Sequence, residues 1–375
     1  MLVLAAQTNL SIVDIRIRTP LQSLADTGVL SLQIRAIKDA RLSDIYRADV
    51  VILQREATPQ ALRWAQITRQ LGRPLILEID DLLTEPERHL QHYNTIVAQV
   101  PRILQLLSLA DRVSVSTRRL MAALPAAAHN KITVTPNYGL PASCPPAVHG
   151  PVTEATPMTL VIASSDAMAM DELIKGLKQV QADSRQAYRI LALGAMASTL
   201  ASHLDHVIAY PVMPLLAFKK LIAAQSNPIG LIPLDDSRFS ACKSAVKYFD
   251  FSLCGLPVVA SALPPYSDVI THRHDGWLVA PNAQAWADAI HTLGASTELR
   301  QSLVARASAS VLAHHNLIHC TAAWQNLLGD LPPPAPLRPS LRTMQLRLQY
   351  QWLLGAKQIL RRLNEHRKRA RKTVR

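Results

Sequence analysis

Residues 229–281 read IGLIPLDDSRFSACKSAVKYFDFSLCGLPVVASALPPYSDVITHRHDGWLVAP. The stretch starts with an apolar run at 229–232 and continues through a loop that is rich in Asp and Ser. A helical pattern follows and ends at Gly255, and Pro257 comes two residues later, as is usual where a helix stops. A second apolar run occupies 258–260. This order predicts a strand, a helix and another strand, which is the repeating unit of a parallel α/β sheet.

The predicted helix carries lysines near its start. Lys243, Lys247 and Asp250 are spaced i, i+4 and i+7, which would place them on one helical face. Ser240 could cap this helix and leave free backbone N–H groups beside two ammonium ions, a combination that attracts phosphate. The alternative is a solvated basic face on which a lysine and Asp250 form an ordinary i, i+3 pair.

The segment from Lys247 to Ser261, KYFDFSLCGLPVVAS, resembles the donor-binding region of GT-B glycosyltransferases of the family-four, glycogen-synthase-like group. That group carries K-x-x-E-[YA]-x-x-x-G-x-P-V-[VI]-A-[ST]. Here the loop G-G-x-x-E-[VI]-I is replaced by PPYSDVI at 264–270, and HDGWLVAP follows at 274–281. The variant with F-x-x-x-K-S-x-x-K and P-P-Y is similar to a subgroup found in bacterial O-antigen and polysaccharide biosynthesis proteins.

The resemblance implies a GT-B architecture, in which two Rossmann-like, doubly wound domains face a cleft. It also implies a retaining transferase that takes a sugar from a nucleotide-diphosphate sugar, needs no metal or other cofactor, and uses a glycan or lipid-linked glycan as acceptor. Lys243 and Lys247 would be catalytic, because they would stabilise the departing diphosphate where negative charge develops. The other predicted donor contacts of this region are Ser240, Ser244, Asp250, Pro265, Tyr266 and Asp268.

Two departures from the family pattern bear on activity. The family's two glutamates, eight residues apart, fall on Cys242 and Asp250. The carboxylate that contacts the donor sugar in relatives is therefore absent, and the one that contacts the ribose is shorter by one methylene. These changes keep a second hypothesis open, in which the chain is a catalytically silent GT-B module that binds nucleotide sugar or glycan within an assembly.

Two proline-rich stretches divide the chain. We predict an N-terminal Rossmann-like, acceptor-side domain at 1–140, a linker at 141–157 and a C-terminal Rossmann-like, nucleotide-sugar-binding domain at 158–330. A proline-rich spacer at 331–340 and a basic amphipathic tail at 341–375 follow. Apolar runs predict strands at 2–5, 30–34, 50–53, 75–79, 113–115, 132–134, 159–163, 188–192, 229–232, 258–260 and 277–279, and helical patterns occupy 59–71, 103–110, 285–293 and 299–313.

The first domain is also similar to the O-antigen subgroup, in the segments ADVVILQRE, RPLILEIDDLL, LADRVSVSTRRL and KITVTPN. Asp80 and Asp81 end an apolar strand, where a carboxylate could orient an acceptor hydroxyl; the alternative is a helix-capping pair. Arg55 ends the preceding strand and could meet a phosphate or the Asp80 carboxylate. Arg16 and Arg18 are weaker candidates. We therefore assign Asp80 and Asp81 to catalysis and Arg55 to donor binding.

The sequence lacks the motifs that are typical of several other classes of protein. Neither a G-x-G-x-x-G nor a G-x-x-x-x-G-K-S/T sequence occurs, which argues against a dinucleotide dehydrogenase and a P-loop kinase, and no G-x-S-x-G elbow occurs. The cysteines, Cys144, Cys242, Cys254 and Cys320, have no zinc spacing and predict reduced thiols in a cytoplasmic protein. Four histidine pairs (His89/His92, His203/His206, His272/His274 and His314/His315) have no acid or cysteine at ligand spacing, so no metal site is predicted.

The net charge of +13 comes mainly from the tail. Residues 337–375 contain 12 Lys/Arg and one acid, Glu365, a charge of +11, which leaves +2 for the other 336 residues. Apolar residues at helical spacing (Leu341, Met344, Leu348, Trp352, Ile359 and Leu363) precede a basic run. The tail therefore favours docking on an anionic membrane, at the inner face of the plasma membrane, or on a protein partner. A helix packed on its own domain is the alternative, and nucleic acid ranks third because no aromatic residues interleave the basic run.

Overall fold

The computed structural model describes residues 1–8, 11–88, 90, 93–141, 145–164, 170–183 and 187–336. The described chain contains two six-stranded sheets in which every pairing between strands is parallel. The predicted α/β fold with two doubly wound domains is confirmed. The strands are β1 (Leu2–Ala5), β2 (Gln33–Ala36), β3 (Val51–Gln54), β4 (Leu75–Ile79), β5 (Arg112–Val115), β6 (Ile132–Val134), β7 (Met158–Ser164), β8 (Tyr188–Gly194), β9 (Val207–Tyr210), β10 (Pro228–Ile232), β11 (Val258–Ser261) and β12 (Trp277–Val279).

Helices connect these strands and cover both faces of each sheet. A π-helical turn at Asp14–Arg18 joins the first two helices, and 3-10 turns occur at Ile37–Asp39, Ala126–Lys131 and Tyr266–Asp268. The α-helices are α1 (Ser11–Val13), α2 (Thr19–Asp26), α3 (Leu42–Arg47), α4 (Pro59–Gln70), α5 (Tyr93–Leu109), α6 (Arg118–Ala123), α7 (Met170–Ala182), α8 (Ala197–His203), α9 (Leu215–Ala223), α10 (Arg238–Ala241), α11 (Val246–Leu253), α12 (Ala283–Ala295), α13 (Thr297–His314) and α14 (Leu317–Gly329).

The strand order of each sheet defines where a ligand can bind. The N-terminal sheet has the order β2-β1-β3-β4-β5-β6, and the C-terminal sheet has the order β9-β8-β7-β10-β11-β12. The direction of winding therefore reverses between β1 and β3 in the first sheet and between β7 and β10 in the second. Open parallel sheets bind ligands in the crevice at the carboxyl ends of the two strands that flank such a reversal.

Most predicted strands coincide with observed ones, because each is a buried apolar run. The run at 75–79 is β4, with all five residues buried. The strand predicted at 30–34 instead forms three residues later, as β2. Strand β9 was missed because it lies at a sheet edge, where Ile208 is exposed and the apolar run is short. Helix α5 begins ten residues before the predicted start at 103, with Pro101 inside it.

The last helix of the chain crosses back to the N-terminal domain. The side chains of Cys320, Trp324 and Leu327 are buried and pack in one cluster with residues of β1 and α2. The predicted C-terminal domain, 158–330, includes this helix by sequence, whereas its apolar face completes the core of the first domain. Cys242, Cys254 and Cys320 are free and buried thiols, and Cys144 lies outside the described residues.

The proline-rich spacer returns to the N-terminal sheet. The amide of Ala335 donates to the carbonyl oxygen of Gly72 at 3.0 Å, and Arg73 Nη1 donates to the carbonyl oxygen of Ala335 at 3.3 Å. The last described residues therefore lie at the amino end of β4, away from the carboxyl ends of the strands. The predicted tail at 341–375 lies outside the described residues. Among the residues that are described, no helix has both the length and the apolar content needed to span a membrane.

Candidate active site

A cavity of about 530 Å³ lies between the two domains. Ser164, the last residue of β7, and Pro233, directly after β10, form its C-terminal wall at the point where winding reverses. The opposite wall follows the carboxyl ends of β3 and β4 in the N-terminal sheet. The predicted site residues that line it are Arg55, Asp80, Asp81, Lys243, Ser244, Lys247 and Tyr266. The fold thus collects residues from distant parts of the chain in one cleft.

Lys243 and Lys247 both line this cavity, but they do not share a helix. The prediction of one continuous helical face through Lys243, Lys247 and Asp250 is wrong, because α10 ends at Ala241 and α11 begins at Val246. The reason is tertiary: Phe239 and Cys242 are buried in the core of the N-terminal domain. The ammonium group of Lys243 lies 5.0 Å from the centre of the Phe239 ring.

The same break changes the capping. The prediction that Ser240 caps the helix is wrong. Ser237 caps α10 instead, by accepting a hydrogen bond from the amide of Ser240. Ser240 is itself fully buried, and its hydroxyl has no hydrogen-bond partner among the described residues. Helix α11 starts after Ala245, whose side chain cannot cap it. The first amides of α11 are therefore not capped by the N-cap side chain, and they lie beside Ser244 and Lys247 at the cavity, a setting that suits an anion.

Ser244 is connected to a buried charge network in the N-terminal domain. Its hydroxyl accepts a hydrogen bond from Asn137 Nδ2 at 2.5 Å, and Asn137 Oδ1 accepts one from Arg16 Nη1 at 2.9 Å. Arg16 Nε lies 2.7 Å from Glu78 Oε1, and both side chains are fully buried. From the sequence alone, Arg16 is a weak candidate for the site. Glu78, a charged residue within the apolar run LILEI, was the signal that a buried partner existed.

Arg55 holds the two carboxylates on the N-terminal wall. Its Nη2 lies 2.8 Å from Asp81 Oδ2, and its Nη1 lies 3.4 Å from Asp80. The predicted contact between Arg55 and the Asp80 carboxylate is observed, and a contact between Arg55 and a phosphate remains a prediction. The backbone of Arg55 has a φ of +54°, in the left-handed region. That conformation is rare for residues other than glycine and clusters at functional sites. Burial raises the pKa of Asp80, and the charge of Arg55 opposes that rise.

The helix-capping alternative for the two aspartates is not observed, since the next described helix, α5, starts only at Tyr93. Asp80 is instead fixed through its backbone, because Ser116 Oγ donates to its carbonyl oxygen at 2.9 Å. Strand β5, which carries Val115 just before that serine, is the neighbour of β4. Two adjacent strands therefore set the position of the Asp80 carboxylate at the cavity.

Asp250 lies apart from the residues that line the cavity. Its side chain is buried on α11 and pairs with Lys219 of α9, with Nζ 2.7 Å from Oδ1. Lys219 Nζ also lies 3.2 Å from the carbonyl oxygen of Leu140. Burial raises the pKa of Asp250, and the charge of Lys219 opposes that rise. The lysine that pairs with Asp250 is thus on another helix, and the predicted contact between Asp250 and a ribose remains a prediction.

The loop that replaces the family's glycine-rich segment divides between two cavities. Tyr266 is buried and lines the main cavity, and its burial raises the pKa of its phenol. Pro265, whose peptide bond to Pro264 is cis, and Asp268 line a neighbouring cavity of about 180 Å³. Asp268 accepts two hydrogen bonds from Arg119 of the N-terminal domain, at 2.7 and 2.9 Å. Its contact in this structure is therefore an interdomain one.

No cluster of three or more His, Cys, Asp or Glu side chains that could hold a metal ion occurs within the described ranges. His272 contacts the edge of Trp277 at 5.4 Å between ring centres, and His315 stacks on Phe249 at 4.5 Å. These contacts give two of the paired histidines packing roles. The pair His89/His92 lies outside the described residues.

Residues 252–309 match the family model "Glycosyl transferases group 1". The match covers the end of α11, strands β11 and β12 and the loop with Tyr266, so it falls on the part of the chain whose motifs predicted this family. No curated protein sequence matches the chain.

Solved structures confirm that the fold around the matched residues is GT-B. HepE from Anabaena, in complex with UDP and glucose, has a TM-score of 0.59 at 14% identity, over 88% of this chain and 99% of that one. A glycosyltransferase from Rickettsia africae has a TM-score of 0.60 at 14% identity, over the same shares of the two chains. Sucrose-phosphate synthase from Thermosynechococcus elongatus has a TM-score of 0.57 at 15% identity, over 95% and 99%. At these identities the likeness concerns the fold.

Proposed function

We propose that this chain is a glycosyltransferase that moves a sugar from a nucleotide-diphosphate sugar to a glycan or a lipid-linked glycan, with retention of configuration and without a metal ion. One observation carries the proposal. A single cavity at the winding reversal of the C-terminal sheet is lined by Lys243 and Lys247 on one side and by Asp80 and Asp81 on the other. Cations for a phosphate and carboxylates for a hydroxyl thus face each other across the cleft.

The cationic wall suits the leaving group. When the bond between the sugar and the diphosphate breaks, negative charge grows on the departing phosphate oxygens. The ammonium groups of Lys243 and Lys247 and the first amides of α11 would stabilise that charge from fixed positions. Two cations at this wall can supply the positive charge that a divalent metal supplies elsewhere, which supports metal independence.

The acidic wall suits the acceptor. Arg55 holds Asp80 and Asp81 close together, so a carboxylate oxygen can accept a hydrogen bond from an acceptor hydroxyl and orient it toward the reacting carbon. The buried Asp80 is less exposed to water, which strengthens such a contact. Retention of configuration rests on the resemblance to the family-four enzymes, whose motif surrounds Lys247.

A panel of donors tests the proposal. The full chain is incubated with UDP-, GDP- and TDP-sugars, and released nucleotide is measured; UDP-sugars come first because the similar HepE structure contains UDP. We expect release with at least one donor and a loss of about 100-fold in Lys247→Ala, the size typical for one lost transition-state contact. Lys178→Ala, at an exposed position on α7, is the matched control. Release at the wild-type rate in Lys247→Ala would exclude the assigned phosphate site.

A second candidate, a silent GT-B module, is favoured by one observation. Cys242 stands where the family has its first glutamate, and it is buried against the N-terminal domain, with its carbonyl oxygen accepting a hydrogen bond from Thr117 Oγ1 at 2.8 Å. No carboxylate can reach a donor sugar from that position. Calorimetric binding of a nucleotide sugar, with no nucleotide released from any donor, would support the silent module over the enzyme.

A further inference from the structure

A second cavity, of about 520 Å³, lies at the winding reversal of the N-terminal sheet. It is lined by Ala6, directly after β1, and by Glu56, two residues after β3. These are the two strands between which the direction of winding changes, so the cavity occupies the crevice in which a doubly wound sheet binds ligands. The site in the main cleft leaves this crevice without a role.

The backbone around the second cavity is held by side-chain hydrogen bonds. The carbonyl oxygen of Ile37 accepts hydrogen bonds from Gln60 Nε2 at 3.0 Å and from Trp64 Nε1 at 3.4 Å. Lys38 follows Ile37, and Arg63 precedes Trp64, so these bonds keep both cations on the cavity wall. On the other side, Arg102 Nε donates to the carbonyl oxygen of Ala57 at 2.6 Å and fixes the loop that carries Glu56.

Two cationic side chains and one acidic side chain line this cavity. Lys38 is exposed and Arg63 is half-buried, and within the described part of the chain neither side chain has an ion pair or a hydrogen bond. Glu56 is the acidic residue on the wall. Burial raises its pKa, and the opposing charge is that of Arg55 rather than of either cavity cation. A half-buried guanidinium without a counter-ion favours an anionic ligand over a neutral one.

Two consecutive residues, Arg55 and Glu56, line the main cavity and the second cavity respectively. Arg55 faces the main cleft, where it holds Asp80 and Asp81, whereas the next residue, Glu56, lines the second cavity. An acceptor with one hydroxyl at Asp80 that extends past this peptide would place its far end at the cavity of Lys38 and Arg63. Its anionic group would then lie on the acceptor side of the cleft, away from the lysines that face the diphosphate.

We infer that the cavity lined by Lys38 and Arg63 binds an anionic group, a carboxylate or a phosphate, carried by the acceptor sugar. This inference rests on the proposed function, because it names the acceptor class for the same reaction. The guanidinium of Arg63 presents paired donors that match the oxygens of either group, and Lys38 adds a mobile point charge. The enzyme would thereby prefer acidic or phosphorylated glycans to neutral ones.

The test uses the full chain without donor and three probes: methyl glucoside, methyl glucuronide and methyl glucoside 6-phosphate. Binding is followed by ligand-observed NMR and calorimetry at low ionic strength. We expect the two anionic probes to bind at least tenfold more tightly than the neutral one. Each of Lys38→Gln and Arg63→Gln should reduce that preference by about tenfold, the usual effect of losing a charge-assisted hydrogen bond. Arg47→Gln, at an exposed arginine of the same domain outside the cavity, should leave it unchanged.

Several results would overturn the inference. These are equal binding of the neutral and anionic probes, absence of binding by both anionic probes, or full retention of the preference in the Lys38→Gln, Arg63→Gln double variant. Inorganic phosphate that binds as tightly as the sugar phosphate would also overturn it, since the cavity would then take a free anion. Glu56→Gln supplies the reverse test, because removal of its charge should tighten binding of the anionic probes.

Nucleotide release from the donor panel separates this inference from the proposed function. The Lys38→Gln and Arg63→Gln variants should bind UDP and release nucleotide as the wild type does, because neither residue lines the main cavity. If the wild type releases no nucleotide while the anionic probes bind, the proposed function is wrong and the assignment of the second cavity to an anion is supported. If release succeeds while all probes bind equally, the inference fails and the proposed function stands.

Discussion

Lys219 and Asp250 form a buried ion pair between helices α9 and α11, with Nζ 2.7 Å from Oδ1. The carboxylate that the family motif assigns to ribose binding is thus engaged by a lysine that no motif identifies. The two side chains keep only 6% and 10% of their surface exposed, so removal of either charge would leave the other buried without a counter-ion. The pair joins α9 to α11, whose first turn lies at the proposed phosphate-binding wall.

The first prediction concerns this pair. Asp250→Asn should lower the free energy of unfolding by about 3–5 kcal/mol, because it strands the Lys219 ammonium in a buried position. The double variant Asp250→Asn, Lys219→Met should recover part of that loss. Denaturant unfolding measures both. If the single variant unfolds like the wild type, the pair does not stabilise α11.

UDP calorimetry on the same variants examines the ribose hypothesis. If Asp250 also binds the ribose, Asp250→Asn should weaken UDP binding and Asp250→Glu should preserve or strengthen it. Equal UDP affinities in the wild type and a folded Asn variant would remove Asp250 from the nucleotide site. The proposed contacts of Lys243, Lys247 and the α11 terminus with the diphosphate would be unaffected.

A second prediction compares two arginine–glutamate pairs. Glu78→Gln should cost about 3–5 kcal/mol of stability, because Arg16 and Glu78 are both fully buried. Glu85→Gln, the matched control, removes the partner of Arg238 in an interdomain pair that is about half exposed, and should cost at most about 1 kcal/mol. Thermal and denaturant unfolding measure both losses. Equal losses would contradict the assignment of Arg16 to the core network.

A third prediction concerns pH and Asp80. Burial raises the pKa of Asp80 above its ordinary value of 3.8, so the folded chain holds this proton more tightly than the unfolded chain. As pH rises through the interval between those two values, the unfolded chain loses the proton first, and Asp80 lowers the stability of the fold progressively. Asp80→Asn abolishes this effect. The stability of the variant relative to the wild type should therefore increase with pH across that interval.

Denaturant unfolding at a series of pH values from about 4 upward measures this difference. A relative stability that falls with rising pH would show that the pKa of Asp80 is lowered in the folded state. Arg55 would then outweigh burial at the acidic wall.

A fourth prediction concerns the tail. The full chain should sediment with vesicles that contain anionic lipid, and the chain ending at residue 340 should not, because residues 341–375 carry most of the net charge. Binding should weaken as salt is raised, since exposed charges are screened. Neutral vesicles are the control. Equal sedimentation of the two chains with anionic vesicles would assign membrane binding to another surface.

The sequence by itself determined the α/β architecture, because the buried strands of a parallel sheet are recognisable as short, continuous apolar runs. A buried central strand in a parallel sheet must be apolar throughout, and the run at 75–79 is therefore readable as β4 without any knowledge of its neighbours. The Gly255-Leu256-Pro257 turn and the apolar run after it fixed the end of α11 and the start of β11 in the same way. Edge strand β9 was not predicted, because its side chains are partly exposed and its run of apolar residues is therefore less distinct.

The arrangement of the site was decided only by the tertiary structure. Helical spacing predicted Lys243 and Lys247 on one helix, but Phe239 and Cys242 are buried in the other domain and the helix is broken there. The helix that carries Lys247 therefore has its N-cap at Ala245 and not at Ser240. Lys219 pairs with Asp250, and Arg16 with Glu78, across separations of 31 and 62 residues. Periodicity reports on neighbours within a few residues of each other. Ion pairs and interdomain packing join residues that only the folded chain brings together.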